Sequence, residues 1–264
     1  MWIWSKVPWS AALPAIDIYL VIACAIVFSA AIVRGFSGFG FSLLAISGLT
    51  LLYPPKEVLP PILMMELAAS INLLPTIWKD IHWRSLFPLL GGALVGTPVG
   101  IYALSNFPPA PMQLALSAFV LVSVLLMWVG YGLKSMPNLA ATVAAGAASG
   151  LANGAFGIGG PPVILFYFAS PAGAAAGRAS LTAFFLALDI IWLTNPTAIT
   201  SLVTVNSAMR AAVYLPFLLG GIWIGHHAFK GVDETKFRKA VMILLAVMAV
   251  IIGVKAAAGL LQPN

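Results

Sequence analysis

The sequence predicts an all-α polytopic membrane protein, with about eight to ten transmembrane or half-membrane helices in two inverted repeats. Three observations support this fold class. First, 61% of the 264 residues are hydrophobic and 8% are charged, whereas a soluble domain carries about 25% charged residues. Second, apolar runs follow one another without a long polar stretch, and mean hydropathy is +1.04. Third, two glycine-rich breaks recur at matching places in the two halves.

Hydropathy and helix breakers divide the chain into ten segments of a single transmembrane domain, 1–264, with repeat one at about 17–132 and repeat two at about 137–260. The segments at 38–53 and 156–169 are shorter than the ~20 residues that span a bilayer. We therefore expect each to be a half-helix or a re-entrant piece. The predicted segments are 17–34, 38–53, 59–78, 85–104, 111–132, 137–152, 156–169, 176–195, 207–229 and 237–260.

The two halves are related by a shift in numbering. Ser-Gly-Phe-Gly at 37–40 matches Gly-Ala-Phe-Gly at 154–157, an offset of 117. Leu-Leu-Gly-Gly at 89–92 matches the same residues at 218–221, an offset of 129, which places an insertion within 195–206. Because five segments per half is an odd number, the second repeat is expected to be inverted relative to the first.

Lys and Arg are divided unequally between alternate loops. Nine of the 13 follow odd-numbered segments, and four lie on the other side. The positive-inside rule then places the loops at 79–84, 132–137 and 230–236 in the cytoplasm. Both termini are expected outside, in a multi-pass protein of the cell inner membrane. The net charge of +6 comes from single loop residues rather than from a basic face, so no nucleic-acid partner is expected.

The sequence contains no enzyme signature. It has no Walker motif, His-Glu-x-x-His, Cys-x-x-Cys or Gly-x-Ser-x-Gly. His226 and His227 are adjacent, and adjacent side chains point about 100° apart on a helix, which suits a metal poorly. We therefore predict that the protein is not an enzyme, with no catalytic residue, no metal site and no cofactor.

The two glycine breaks are the predicted site for a small anion. Glycine permits positive φ and close approach of a ligand, and free N–H groups at the N-terminus of a half-helix attract anions. Pro161 and Pro162 suit the first turn of a helix, so a half-helix should begin near Gly160, with free N–H groups from Gly157 onward. The candidate substrate-binding residues are Ser37, Gly38, Gly40, Ser42, Asn153, Gly154, Gly157, Gly159 and Gly160.

Other glycines at four-residue spacing are expected to let helices pack closely. The run that ends at Gly154 is expected to pack in this way and then to continue into the second break. These runs are Gly92, Gly96 and Gly100; Gly221 and Gly225; and Gly146, Gly150 and Gly154.

Four charged residues are candidates for a role in transport. Glu66 and Asp189 lie inside apolar segments, where an ionisable residue is functional by default. They are predicted to couple protons or contact substrate, with a structural hydrogen bond as the alternative. Arg34 and Arg178 flank the breaks and are candidates for a cytoplasmic vestibule that gathers anions; the alternative is positive-inside anchoring.

The duplicated blocks at 35–40 and 153–162, together with the Leu-Gly-Gly motifs at 90–100 and 219–225, resemble the TauE/SafE family of sulfite-exporter-like membrane proteins. The resemblance extends over about residues 17–258. It implies alternating-access transport of a small sulfur-containing anion such as sulfite, sulfoacetate or a related organosulfonate. Members are assigned to export and to uptake, so the resemblance leaves direction, coupling ion and oligomeric state open, with a homodimer among the options.

The blocks of the two repeats differ in composition. Asn153 replaces Phe36, and Pro161–Pro162 replaces Leu44–Ala45, so the two half-sites are not expected to bind identically. The expected partners are the lipid bilayer and the small anion. Alternatives that the sequence leaves open are a passive anion channel, an uptake carrier for another small carboxylate or oxyanion, and a membrane scaffold without transport.

Overall fold

The structure, a computed structural model, describes residues 18–37, 40–129, 137–169, 174–228 and 234–261. These ranges contain eleven α-helices and no strand, which confirms the predicted all-α fold. The helices are α1 (Ile18–Ser37), α2 (Phe41–Leu49), α3 (Pro55–Ile77), α4 (Trp83–Asn106), α5 (Pro109–Val129), α6 (Leu139–Phe156), α7 (Gly160–Ala169), α8 (Ala174–Leu193), α9 (Pro196–Ser201), α10 (Val205–Ala228) and α11 (Glu234–Leu261).

Helix lengths fit a bilayer. In the described ranges, α1, α4, α5, α6, α10 and α11 are long and apolar enough to cross a membrane. The helices α3 and α8 have 23 and 20 residues, enough for about 30 Å at 1.5 Å per residue, and they carry the two internal acids. By contrast, α2 and α7 have nine and ten residues. They extend about 14–15 Å, so both short segments have half-membrane length.

Each of the ten predicted segments corresponds to one helix, with boundaries that differ by up to several residues, and the eleventh helix, α9, lies in the interval that contains the predicted insertion. Asn195 caps this helix, since its side-chain oxygen accepts from the N–H groups of Thr197 and Ala198 at 3.0 and 3.4 Å. Pro196 occupies the first turn, where its missing N–H has no consequence. The interval is therefore a capped helical turn between α8 and α10.

The helix contacts of the two halves are related by symmetry. When α1, α2, α3, α4 and α5 are matched with α6, α7, α8, α10 and α11, each main contact has a counterpart. Helix α4 packs on α6 as α10 packs on α1, and α4 packs on α8 as α10 packs on α3. The pairs α3–α8 and α5–α11 correspond to themselves, so they lie along the pseudo-two-fold axis.

Helix directions show that the halves are inverted. Within the first half, α1 and α2 are antiparallel, and Lys56 Nζ at the start of α3 donates to Ser105 O at the end of α4. Helix α6 runs parallel to α4, and α10 runs parallel to α1, because their glycine contacts advance together along each pair. Arg210 at the start of α10 pairs with Glu57 at the start of α3, so α1, α3 and α10 run in one direction and α4 runs in the other. Because α6 corresponds to α1 and yet runs parallel to α4, the second half has the opposite orientation.

We name each end of the helix bundle after one residue that lies there. The end with the 3₁₀ turn Trp78–Asp80, just before α4, is the Lys79 face, and the end where α4 stops is the Asn106 face. Lys255 Nζ near the end of α11 donates to Leu51 O, beside the start of α3. The C-terminal end of α11 and the N-terminal end of α1, which is antiparallel to α2, therefore lie on the Asn106 face.

Close helix packing at the spaced glycines is confirmed. A methyl group at Gly92, Gly96 or Gly100 would overlap backbone atoms of α6, and one at Gly146 or Gly150 would overlap backbone atoms of α4. Gly221 and Gly225 contact α1 in the same way. Small residues thus bring backbones together where the hydrophobic effect between lipid-embedded helices is weak.

Candidate functional site

Two glycines with positive φ mark the two breaks. Gly40 has a φ of 90° and Gly157 a φ of 65°, and no other described residue has a positive φ. Their numbers differ by the repeat offset of 117. A Cβ is strained in this region, so the backbone at both breaks requires glycine. Gly40 directly precedes α2, whereas Gly157 ends α6.

Gly157 does not offer a free N–H group, so the prediction of a donor there is wrong. Its N–H donates to Asn153 O at 2.8 Å and closes the end of α6. A Cβ on Gly157 would meet the side chains of Ile46 and Leu59 from the first half. This glycine therefore ends a helix and fits a tight contact between the halves.

Gly154 packs against a neighbouring helix, as its place in the third glycine run predicts. It lies inside α6, where its N–H belongs to the helix ladder. A Cβ on Gly154 would overlap Thr97 O and approach Ile101 N of α4, and its carbonyl accepts from Trp192 Nε1 at 3.2 Å. Gly154 thus belongs to the α4–α6 contact.

The backbone donors left at the second break are those at the start of α7. The helix begins at Gly160, as Pro161 and Pro162 predict. The carbonyl of Gly159 accepts from Ser149 Oγ inside the protein. Because the two prolines have no N–H, the amides of Gly159 and Gly160 are the N–H groups at this helix start that can face an anion.

Each break also holds a buried polar atom that lacks a hydrogen-bond partner within the described ranges, Ser42 Oγ and Asn153 Nδ2. Asn153 is 3% exposed, and a Cβ on Gly159 would lie 3.1 Å from its Cβ, which puts the amide beside the start of α7. Leaving a buried donor unpaired costs about 1–3 kcal/mol, so a ligand oxygen is a favourable partner. Of the other first-break candidates, Ser37 is the last residue of α1, and Gly38 lies outside the described ranges.

A buried ion pair lies beside the first break. Arg34, in the last turn of α1, donates through Nη1 to Glu66 Oε1 at 2.5 Å and through Nη2 to Ser70 Oγ at 3.1 Å. The side chains of Arg34 and Glu66 are 8% and 7% exposed. Replacing such a pair with apolar residues is often neutral or stabilising, so a structural role alone explains its presence poorly.

Asp189 of α8 joins this cluster from the second half. It is 2% exposed, its Oδ2 has no hydrogen-bond partner in the described part of the chain, and it interacts electrostatically with Glu66 and Arg34. The preceding residue, Leu188, faces Gly159 at the second break. The charge cluster, defined as Arg34, Glu66, Ser70 and Asp189, therefore lies between the two breaks.

The position of Arg34 differs from the sequence expectation of a vestibule. It is buried in an ion pair, because α1 ends beside the middle of α3. The side chain of Arg178 lies outside the described residues. Ser70 was missed by the sequence reasoning, although it lies four residues after Glu66 and so on the same face of a helix.

A cavity of about 650 Å³ opens on the Lys79 face. It lies at the start of α4 and α6, and its wall includes Ser85, whose hydroxyl is 3.0 Å from Tyr167 OH. Arg84 is exposed there, so this arginine is a better candidate for an anion-gathering entrance than Arg34. The lining residues are His82, Arg84, Ser85, Pro88, Pro137, Asn138, Leu139, Thr142 and Phe166.

Comparison with known proteins identifies the family. Neither a curated protein nor a solved structure matches the chain significantly. The family described as Sulfite exporter TauE/SafE matches residues 23–252, which is most of the chain and includes both glycine breaks and the charge cluster. The protein is therefore a membrane transporter of the TauE/SafE sulfite exporter family.

Proposed function

We propose that the protein carries a small sulfur-containing anion, such as sulfite, sulfoacetate or a related organosulfonate, across the cell inner membrane by alternating access. The observation that supports this most is Arg34, a buried guanidinium between the two glycine breaks. A guanidinium presents paired N–H donors that match the oxygens of a small oxyanion. We therefore assign transport rather than catalysis to this site.

The substrate is bound by donors from both halves. Arg34 supplies the charge, Ser42 a hydroxyl, and Asn153 an amide, while Gly159 and Gly160 supply backbone N–H groups at the start of α7. A sulfonate or sulfite has three oxygens and accepts from several of these donors at once. The two halves thus contribute different groups to one site, rather than two identical half-sites.

Inverted repeats provide the conformational basis of alternating access. Two halves related by a pseudo-two-fold axis in the membrane plane can exchange inward-open and outward-open packings around a fixed central site. The tight α4–α6 and α1–α10 contacts join helices of opposite halves, so these pairs are expected to move as rigid units. A passive anion channel would instead need a continuous open path.

The function is tested by flux into proteoliposomes that contain the purified protein. Sulfite, sulfoacetate, methanesulfonate, acetate and sulfate form the panel. We expect saturable uptake, and acceleration by unlabelled anion on the opposite side, for at least one sulfur-containing anion. Flux that does not saturate would support the channel, and saturable flux of acetate alone would support a carboxylate carrier.

Glycine substitutions at the breaks test the predicted contacts. Gly40→Ala and Gly159→Ala should each weaken anion binding roughly 10- to 150-fold, as much as the loss of one hydrogen bond to a charged group, because the added methyl group keeps the anion away from the backbone. Space around Gly40 is open, with Val33 Cγ1 3.8 Å from an added Cβ, so the effect there comes from strained φ and blocked approach of the anion. Binding is measured by calorimetry on purified protein.

A Cβ on Gly159 would lie 2.7 Å from Leu188 Cδ1 and 3.1 Å from Asn153 Cβ, so Gly159→Ala is compared at equal thermal stability. Gly91→Ala is the matched control for Gly40→Ala, because an added Cβ there has no atom within 4 Å. It should bind anions like the parent protein. If all three variants bind alike at equal thermal stability, the breaks are not the site.

The orientation in the membrane is tested by cysteine labelling. We expect Lys79 in the cytoplasm and Asn106 outside, because the basic loops lie on the Lys79 face. Lys79→Cys and Asn106→Cys are made in a Cys24→Ser background, where the native thiol, buried in α1, is removed. Labelling by a membrane-impermeant maleimide from outside should occur at position 106 alone; labelling at position 79 alone would reverse the orientation.

A further inference from the structure

The ion pair between Arg34 and Glu66 uses the donors that a substrate would need. Nη1 of Arg34 is bonded to Glu66 and Nη2 to Ser70, and all three side chains are buried. The Glu66 carboxylate holds the Nη1 donor, so an anion that binds this N–H group must displace the carboxylate. The substrate anion and Glu66 would therefore compete for the same donor of Arg34.

The charges around Glu66 come from two other helices. Arg34 lies on α1 and Asp189 on α8. Of the other elements packed on α3, α2 and α5 contain no charged residue, and α10 contributes Arg210, which is paired with Glu57 at 2.8 Å. The remaining charged and histidine side chains described on α10, α4 and the 3₁₀ turn are exposed; they are Lys79, Asp80, Arg84 and His227. Any change of charge at Glu66 must therefore be balanced within the cluster, by the substrate or by a proton.

We propose that the substrate anion replaces Glu66 on Arg34 and that Glu66 takes up one proton as it is displaced, so that each anion crosses the membrane together with one proton. This inference rests on the proposed function and adds its coupling ion. When the anion leaves on the other side, Glu66 returns to Arg34 and releases the proton there. Proton and anion travel in the same direction.

Electrostatics favours this exchange over displacement of an ionised Glu66. With Glu66 paired, its charge and that of Arg34 cancel. If the anion took its place and Glu66 stayed ionised, a buried carboxylate would lose its partner and face both the anion and Asp189, which is unfavourable in a medium of low dielectric. For a singly charged anion such as methanesulfonate, a proton on Glu66 keeps the net charge of the site unchanged.

The coupling has a consequence for direction. Because one proton and one singly charged anion together carry no net charge, an inward pH gradient, rather than the membrane potential, would drive uptake of the anion through this site. Export would then require the outward anion gradient to exceed the inward proton gradient. The family description names an exporter. With this coupling, efflux would be driven by accumulated anion and uptake by the pH gradient.

The first test counts protons on the unmodified protein. Binding of methanesulfonate and sulfoacetate is measured by calorimetry in buffers of different ionisation enthalpy, between pH 5 and 8, where the sulfonate group stays ionised. We expect one proton taken up per anion, and affinity that rises about tenfold for each unit of falling pH while Glu66 is ionised in the free protein. If sulfite alone binds, its own protonation is measured without protein and subtracted.

The second test compares the two acids. Glu66→Gln should bind the anion with an affinity that does not change with pH, and it should exchange anions across the membrane without accumulation in response to a pH gradient. Glu57→Gln, the same substitution at the ion pair on the Asn106 face, is the control and should keep proton uptake and pH dependence. If pH dependence is instead kept in Glu66→Gln and lost in Asp189→Asn, the assignment to Glu66 is overturned.

The outcomes separate this inference from the proposed function. Anion binding without proton uptake in the unmodified protein overturns the coupling and leaves anion transport standing. Binding of none of the panel anions overturns the proposed function, and the coupling with it. The proton count needs no variant, so the result does not depend on whether Glu66→Gln folds normally.

Discussion

Arg34→Gln is expected to abolish high-affinity anion binding, with a loss of about 100-fold or more. The guanidinium is the buried cation between the breaks, and two of its N–H groups are directed at acceptors. Each hydrogen bond to a charged group contributes roughly 1.5–3 kcal/mol, so removing two of them weakens binding by more than two orders of magnitude. Calorimetry with the best anion of the panel provides the measurement.

Arg210→Gln is the matched control for this substitution. Arg210 is as buried as Arg34 and is also paired with a glutamate, but it lies on the Asn106 face, away from both breaks. We expect it to keep the affinity of the parent protein. The double variant Arg34→Gln, Glu66→Gln carries no unpaired charge at this pair, so it separates loss of binding from loss of fold. Anion binding that survives in the double variant would exclude Arg34 as the substrate contact.

The two repeats are symmetric in helix packing and asymmetric in charge. At the offset of 117, Leu151 and Ala183 occupy the positions of Arg34 and Glu66. Conversely, Asp189 corresponds to Asn72 in the first half. Symmetric packing allows the two halves to exchange conformations, whereas the asymmetric charges form a single site, in which one cation faces two carboxylates.

Much of the fold could be predicted because bilayer length and glycine spacing are local features of the sequence. Each apolar segment became one helix, and Gly40 and Gly157 adopt the positive φ that a break between helices requires. Pro161 and Pro162 fixed the start of α7 to within a residue.

The pairing of Arg34 with Glu66 could not be predicted, because it depends on where α1 ends relative to α3. The two residues are 32 positions apart, and no periodicity connects them. From the sequence, Arg34 had the appearance of a loop residue, since the break follows it closely. The role of Gly157 was missed for a related reason: the N–H of a glycine after a helix bonds back to that helix, and only the geometry shows that it does so here.

Gly96→Ala should destabilise the protein without altering the chemistry of the site. A Cβ at this position would overlap the carbonyl oxygen of Ala147 and approach the N–H of Leu151 in α6. Since both are backbone atoms, relief requires the helices α4 and α6 to move apart. Overpacking of this kind costs about 1–3 kcal/mol, which corresponds to a fall in Tm of roughly 2–12 °C.

The same helix supplies the control for the stability effect. An added Cβ at Gly91, five residues earlier, would lie in open space. Gly91→Ala should therefore leave Tm unchanged or raise it, because alanine is more favourable than glycine in a helix by about 1 kcal/mol. Tm is measured in detergent by intrinsic tryptophan fluorescence.

The contact of α4 with α6 joins opposite halves, so loosening it should lower the transport rate while calorimetric affinity for the anion stays close to that of the parent protein. An unchanged Tm for Gly96→Ala would mean that these two helices do not approach as closely as the structure shows. A loss of affinity at unchanged Tm would place position 96 in the binding site.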